Sequence, residues 1–132
     1  MRVSWFMALT ALTLACGGGD SGTEPPPPPP PPPNTATVST PNATFSPDSV
    51  RIAAGGTVTW NIQGIQPHNV VFVNATPFPV NSDSSGIPVT SGTFTGTFPT
   101  PGTYLYYCRP HGQPTNTNPP GVTGMSGKVV VE

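Results

Sequence analysis

What the chain has little of narrows the field first. Of its 132 residues only 7% are charged, against about 25% in an ordinary soluble domain. Four Lys and Arg stand against five Asp and Glu, and the cations form no cluster. Nucleic-acid binding, which draws on counterion release by grouped cations, is not expected. Beyond residue 34 the strong helix formers nearly vanish: Leu105 is the only Leu, Lys128 the only Lys and Glu132 the only Glu. A helical bundle is excluded on those terms. The Thr, Val, Phe and Tyr that fill the same stretch favour strands. No apolar run reaches the roughly 20 residues that a permanent membrane-spanning helix needs.

What is abundant is proline, with 21 residues, and glycine, with 15. Much of the proline bias is local, because residues 25–33 are one unbroken run. At the N-terminus Arg2 precedes a mostly apolar stretch, residues 3–15, that ends at Cys16. A positive start and a short apolar region fit an export signal. Cys16-Gly17-Gly18-Gly19 resembles a bacterial lipoprotein processing site. That resemblance implies an acylated Cys16 as lipid anchor and mature N-terminus, and Gly17 is compatible with export to an outer membrane. Thr13 stands where the pattern usually has Leu, while Leu14 and Ala15 flank the cut acceptably. Residues 1–15 are therefore expected to be a signal peptide and 16–34 a lipid anchor followed by a disordered Pro-rich linker. As polyproline II the run would be a stiff spacer of roughly 28 Å. No basic residue flanks it, so a spacer is preferred to a ligand for a Pro-binding module. The product is expected to be exported and membrane-anchored, on a periplasmic or cell-surface face.

Residues 35–132 read as short strands separated by turn signals. Val50-Arg51-Ile52 alternates, Gly55-Gly56 turns, and residues 57–62 alternate with Val58, Trp60 and Ile62 on one face. Residues 68–73 are expected as one strand with His68, Val70 and Phe72 on one side. Phe94 and Phe98 flank Gly96, Pro101-Gly102 turns into residues 103–108, and 128–131 close the domain. Seven to eight strands without a helix predict an all-β Greek-key sandwich.

With Cys16 lipidated, Cys108 is an unpaired thiol in an exported protein, which invites a functional reason. Cys108-Arg109-Pro110-His111 sets a thiolate and an imidazole three positions apart at a strand end. His68 is the only other histidine, and Met125 the only methionine beyond the N-terminal stretch. Singly, each has a bland reading: a loop histidine, a buried inert cysteine, a methionine filling the core. Jointly, two imidazoles, one thiolate and one thioether are the donor set of a blue-copper site, a trigonal plane with a long axial sulfur. Other chemistries lack support. There is no His-x-Cys-x-His or Cys-x-x-Cys-His pattern, and no context for Ser-His-Asp catalysis. A four-ligand site leaves no open position for a substrate, so no enzyme is expected.

The stretches Phe45-Ser46-Pro47, Gly56-Thr57-Val58-Thr59-Trp60, Pro67-His68-Asn69-Val70-Val71-Phe72, Thr100-Pro101-Gly102-Thr103-Tyr104-Leu105-Tyr106-Tyr107-Cys108-Arg109-Pro110-His111 and Gly124-Met125-Ser126-Gly127-Lys128-Val129-Val130-Val131 together resemble the plastocyanin-like cupredoxins. The resemblance covers about the last 95 residues. It implies one type 1 copper ion held by His68 Nδ1, Cys108 Sγ, His111 Nδ1 and, more weakly, Met125 Sδ. It also implies that the Asn69 backbone N–H points at the cysteine sulfur and its side chain ties the ligand loops together. Electrons would leave at the exposed edge of His111, with Tyr107 on the opposite strand face from Cys108. One departure stands out: residues 112–124 separate His111 from Met125, where plastocyanins have a few. They are expected to loop out beside the site with Met125 kept in place; otherwise Gln113, or nothing, is axial. From residue 34 on, Arg51, Arg109 and Lys128 match Asp48, Asp83 and Glu132, so weak steering and apolar docking are expected. The expectation is a monomeric, tethered electron carrier serving a redox protein donor and acceptor. A copper-delivery protein and a metal-free β-sandwich interaction module are the alternatives.

Overall fold

The computed structural model describes residues 25–73, 87–117 and 120–132. The expected signal peptide, Cys16 and Asp83 lie outside those residues. Among them are seven strands and no helix: β1 (Thr35–Ser39), β2 (Ser49–Ile52), β3 (Gly56–His68), β4 (Val71–Val73), β5 (Val89–Phe98), β6 (Gly102–Thr115) and β7 (Gly121–Val131). They form two sheets, β1-β3-β5 and β2-β7-β6-β4, which is the predicted two-sheet sandwich. β1 joins β3, and β2 joins β7, in parallel. The other neighbours are antiparallel.

The alternation in sequence is the cause of the layering. Along β3, Val58, Trp60 and Ile62 point inward and are buried, with partly exposed residues between them. Phe98 of β5 and Tyr106 of β6 meet them from either side of the interior. Trp60 sits at the middle of an aromatic cluster. Its ring lies edge-on to Phe72 at 5.7 Å and to Tyr106 at 5.3 Å, and is tilted against Phe98 at 6.4 Å. Such contacts add about 0.5–1.5 kcal/mol per pair beyond simple burial, so the two sheets are locked face to face by few side chains.

The two ends of the sandwich differ. At one, β3 begins at Gly56, opposite Phe98, and β6 begins at Gly102, opposite Val131. Backbone bonds from Ala54 N–H to the Glu132 carbonyl and from Gly55 N–H to that of Phe98 close this end. The proline run enters here: the Pro33 carbonyl accepts from Ala53 N–H and that of Asn34 from Thr57 N–H. Residues 25–31 are exposed and carry no strand. The fold therefore engages the chain at Pro33, two residues before the expected boundary.

At the other end both sheets lose register in the same way. Gln63 pairs with Ser91 but His68 pairs with Val89, so β3 advances five residues while β5 advances two. Tyr107 pairs with Ser126 but Gly112 with Gly124, the same mismatch between β6 and β7. Such bulges free the backbone from the ladder and re-aim side chains. The first is pinned at its start, where the buried Thr40 hydroxyl accepts from Gln63 N–H at 2.9 Å and donates to the Gln63 carbonyl at 3.2 Å.

Two expectations need correction. Residues 68–73 are not one strand. His68 ends β3 in one sheet and Val71 opens β4 in the other, so His68-Asn69-Val70 cross between layers. All three are buried, which a two-residue period cannot produce. Nor do residues 112–124 simply loop out. β6 runs on to Thr115 and β7 starts at Gly121, so both ends of the segment form an antiparallel ribbon, with Gly112, Gln113, Pro114 and Thr115 opposite Gly124, Thr123, Val122 and Gly121.

Candidate metal centre

The register-shifted end gathers the chemistry. His68 arrives at the end of β3, and Cys108 and His111 lie within the irregular stretch of β6. Cys108 Sγ is 3.6 Å from His68 Nδ1 and 3.5 Å from His111 Nδ1. All three donor atoms lie within 4.8 Å of one another. Among the described residues this is the one group of three such side chains close enough to share a metal ion. The two imidazole rings are 4.8 Å apart, tilted by 49°. His68 and Cys108 are buried, and His111 is half-buried, so the cluster opens to solvent on the His111 side.

Asn69 secures the cluster. It is 1% exposed, and its Oδ1 accepts from Arg109 N–H at 2.9 Å. That bond ties the residue after one candidate ligand to the residue after another, across the two sheets. The backbone N–H groups of Asn69 and His111 donate to the Cys108 sulfur. Burial pushes the Cys108 thiol above its ordinary pKa, and these two donors oppose that shift. Burial, reinforced by the charge of His111, lowers the pKa of His68. A thiol and a neutral imidazole are thus what the buried half of the cluster presents in the absence of a metal.

Met125 is 4% exposed and belongs to the same buried cluster as Cys108. A Cβ placed on Gly112 would lie 2.8 Å from the Met125 carbonyl oxygen and 3.1 Å from its nitrogen. The Met125 backbone therefore lies against the residue that follows His111. Gln113, the alternative axial candidate, is exposed on the ribbon. Tyr107 is half-buried, between the buried Tyr106 and Cys108. Alternation along the strand turns it to the other face, where it lines a groove of about 610 Å³ with Phe72, Val73 and the ribbon residues Pro114 and Thr115.

The donor set passes a simple fit test for a metal. A nitrogen bond of about 2.0–2.1 Å and a sulfur bond of about 2.3 Å meeting at a trigonal angle separate nitrogen from sulfur by about 3.7–3.8 Å, close to the 3.6 and 3.5 Å observed for the two histidines. Soft thiolate with imidazole, and a buried thioether residue alongside, is a combination suited to copper. Sequence reasoning missed the paired bulges that deliver these residues. Gly64 and Pro67 in β3, and Pro110 and Gly112 in β6, are the residues that could have signalled them.

Comparison with known proteins points the same way. Residues 34–132 match the family model of copper binding proteins, plastocyanin/azurin family. The chain is 37% identical over 93 residues to a chloroplastic plastocyanin of Tetradesmus obliquus, covering 67% of this chain and 58% of that protein. It is 39% identical over 89 residues to amicyanin-alpha of Methylorubrum extorquens, covering 67% of this chain and 64% of that one. The chain thus spans less than two thirds of the length of either relative. Among solved structures, oxidised plastocyanin from Dryopteris crassirhizoma superposes with a TM-score of 0.51 at 28% identity, over 74% of this chain and 100% of that one. An oxidised amicyanin variant gives 0.50 at 27%, over 74% and 82%.

Proposed function

The chain belongs to the plastocyanin/azurin family of copper-binding proteins, and on that premise we propose that it is a blue-copper electron carrier, held at a membrane surface, rather than an enzyme. The observation that carries this reading is the convergence of His68, Cys108 and His111, one ligand atom of each within 4.8 Å of the others, with both Nδ1 atoms 3.5–3.6 Å from the sulfur. These three residues would hold one copper ion, with the Met125 thioether as a fourth, weaker donor. When bound, copper supplies one-electron Cu(II)/Cu(I) chemistry. The protein's part is to hold the donors still. His68 comes from one sheet and Cys108 and His111 from the other, and Asn69 bonds the two. A frame fixed this way changes little between oxidation states. Cys108 and His68 keep water from the centre, while the half-buried His111 is the edge at which a redox protein donor or acceptor docks. Tyr107, next to Cys108 on the other strand face, offers a second surface.

The tether is read from sequence. Cys16 carries the lipid of an exported protein, on a periplasmic or cell-surface face, and residues 25–33 form a spacer. The spacer meets the sandwich at Pro33 and Asn34, on the end where β6 begins. Cys108 lies six residues further along that strand, about 20 Å away at strand rise. The copper site therefore faces away from the anchored end, which suits partners that approach from outside the surface holding the lipid.

Addition of Cu(II) to the purified chain tests the reading. An intense blue thiolate-to-copper band is expected, absent in Cys108→Ser, together with reversible voltammetry. A colourless product, or copper handed to a Cu(I) acceptor without reversible cycling, would overturn electron transfer.

A further inference from the structure

The 13 residues between His111 and Met125 pose a mechanical problem: an insertion between two ligands should loosen both. We infer that the cross-strand pair Gly112 and Gly124 is a positioning element that clasps the base of the inserted ribbon and isolates the metal centre from everything beyond it. The inference rests on the copper reading above.

The two glycines face each other in register. A Cβ on Gly124 would collide with the His111 carbonyl oxygen and sit 2.9 Å from the Gly112 Cα. A Cβ on Gly112 would sit 2.7 Å from the Thr123 carbonyl oxygen and 2.8 Å from that of Met125. All four of these obstacles are backbone, which cannot swing aside as a long side chain can. Gly124 also has φ of 72°, in the left-handed region that costs other residues steric strain. The close crossing therefore requires the absence of a side chain from both strands. Its consequence is local: the strands are pressed together between His111 and Met125, at the point where the ladder resumes after the bulge.

Outboard of the clasp the ribbon has different chemistry. Gln113 and Pro114 are exposed, and the Thr115 hydroxyl accepts from Gly121 N–H at 3.0 Å, pinning the far end of the ribbon to itself. Nothing outboard is needed to bring His111 and Met125 together. The ribbon is then a module that can vary in length and sequence, and reshape the surface beside His111, without disturbing the donors.

The test uses the full chain loaded with Cu(II). Gly124→Ala and, separately, Gly112→Ala are compared with Gly55→Ala. Gly55 also has positive φ, 82°, but has open space around its Cβ position and sits at the opposite end. It controls for backbone strain alone. A fourth variant deletes outboard residues 114–122. Either clasp variant is expected to bind Cu(II) about 10–100-fold more weakly, as when groups that orient metal ligands are removed, with an altered charge-transfer band and copper hyperfine splitting. The Gly55→Ala and deletion variants are expected to keep the parent spectrum. A blue parent whose Gly112→Ala and Gly124→Ala forms are spectroscopically unchanged overturns the clasp alone. So does a deletion that perturbs the spectrum as much as they do. If Gly124→Ala fails to fold, Gly112→Ala, which has no left-handed φ, decides. A parent that takes up no Cu(II) overturns the copper reading and the clasp with it.

Discussion

Replacing Asn69 by Ala isolates the contribution of one bond to the candidate centre. The side chain is buried and its Oδ1 accepts from Arg109 N–H at 2.9 Å. Truncation removes that acceptor and leaves a partly buried N–H without it, a loss of about 1–3 kcal/mol. The backbone N–H that donates to the Cys108 sulfur stays, so a blue colour should survive. In a domain of this size 1 kcal/mol corresponds to roughly 4–8 °C in Tm, and the metal-free variant should melt lower by that much or more. Copper binding should weaken as well, because Asn69 joins the loop of His68 to the loop of Cys108 and His111 before any metal arrives. A tenfold weaker Kd is about 1.4 kcal/mol, within the range for residues that orient ligands. The assay is denaturant unfolding of metal-free and Cu(II)-loaded protein, with Cu(II) titration at a fixed chelator concentration. Unchanged stability and unchanged Kd together would refute the idea that this bond organises the site.

Four further outcomes follow from the site and the charge balance of the domain. Met125→Ala should lower stability by about 2–5 kcal/mol, as for a buried methionine, and change the copper spectrum, whereas Gln113→Ala, at an exposed position, should stay within about 0.5 kcal/mol and leave the spectrum alone; the reverse pattern would make Gln113 the axial donor. Because burial raises the Cys108 pKa, copper binding near neutral pH should release the thiol proton, measurable by calorimetry in buffers of different ionisation enthalpy. The depressed pKa of His68 means the unfolded chain binds more protons below 6.5, so metal-free stability should be full above that value and fall as pH drops through the folded pKa, visible as a declining Tm. With cations and anions equal in number from residue 34 on, bimolecular electron-transfer rates should change little with ionic strength in stopped-flow measurements.

The layers of the fold were legible because burial alternates where strands are regular. Val58, Trp60 and Ile62 in β3 and Phe98 in β5 could be assigned to the interior from spacing alone. The candidate ligands were legible for another reason: His68, Cys108 and His111 are rare residues in a chain of Thr, Val, Gly and Pro. What periodicity could not express were the places where the ladder breaks. Residues 63–67 are all exposed, Ile65 at 98%, so this stretch of β3 has no inward face to betray it. The inserted ribbon was hidden differently. Its strands are polar, contain Pro114, and bury little, so their pairing rests on backbone bonds that composition does not reveal.

The breaks and the site are one feature. A regular ladder holds each residue to its neighbour and sends alternate side chains to opposite faces. Three donors can converge only if that rule is suspended on both sheets at the same end. The bulge in β3 and the bulge in β6 have the same mismatch, five residues against two; the first ends on the single pair His68 and Val89, and the second is followed by four regular pairs. Thr40 fixes the start of the first, and the Gly112–Gly124 crossing closes the second. Between those fixed points the backbone leaves the sheets, yet Asn69 and the two N–H groups on the sulfur hold it. The convergence of donors therefore follows from the sandwich itself, and a metal entering the site finds its ligands already assembled.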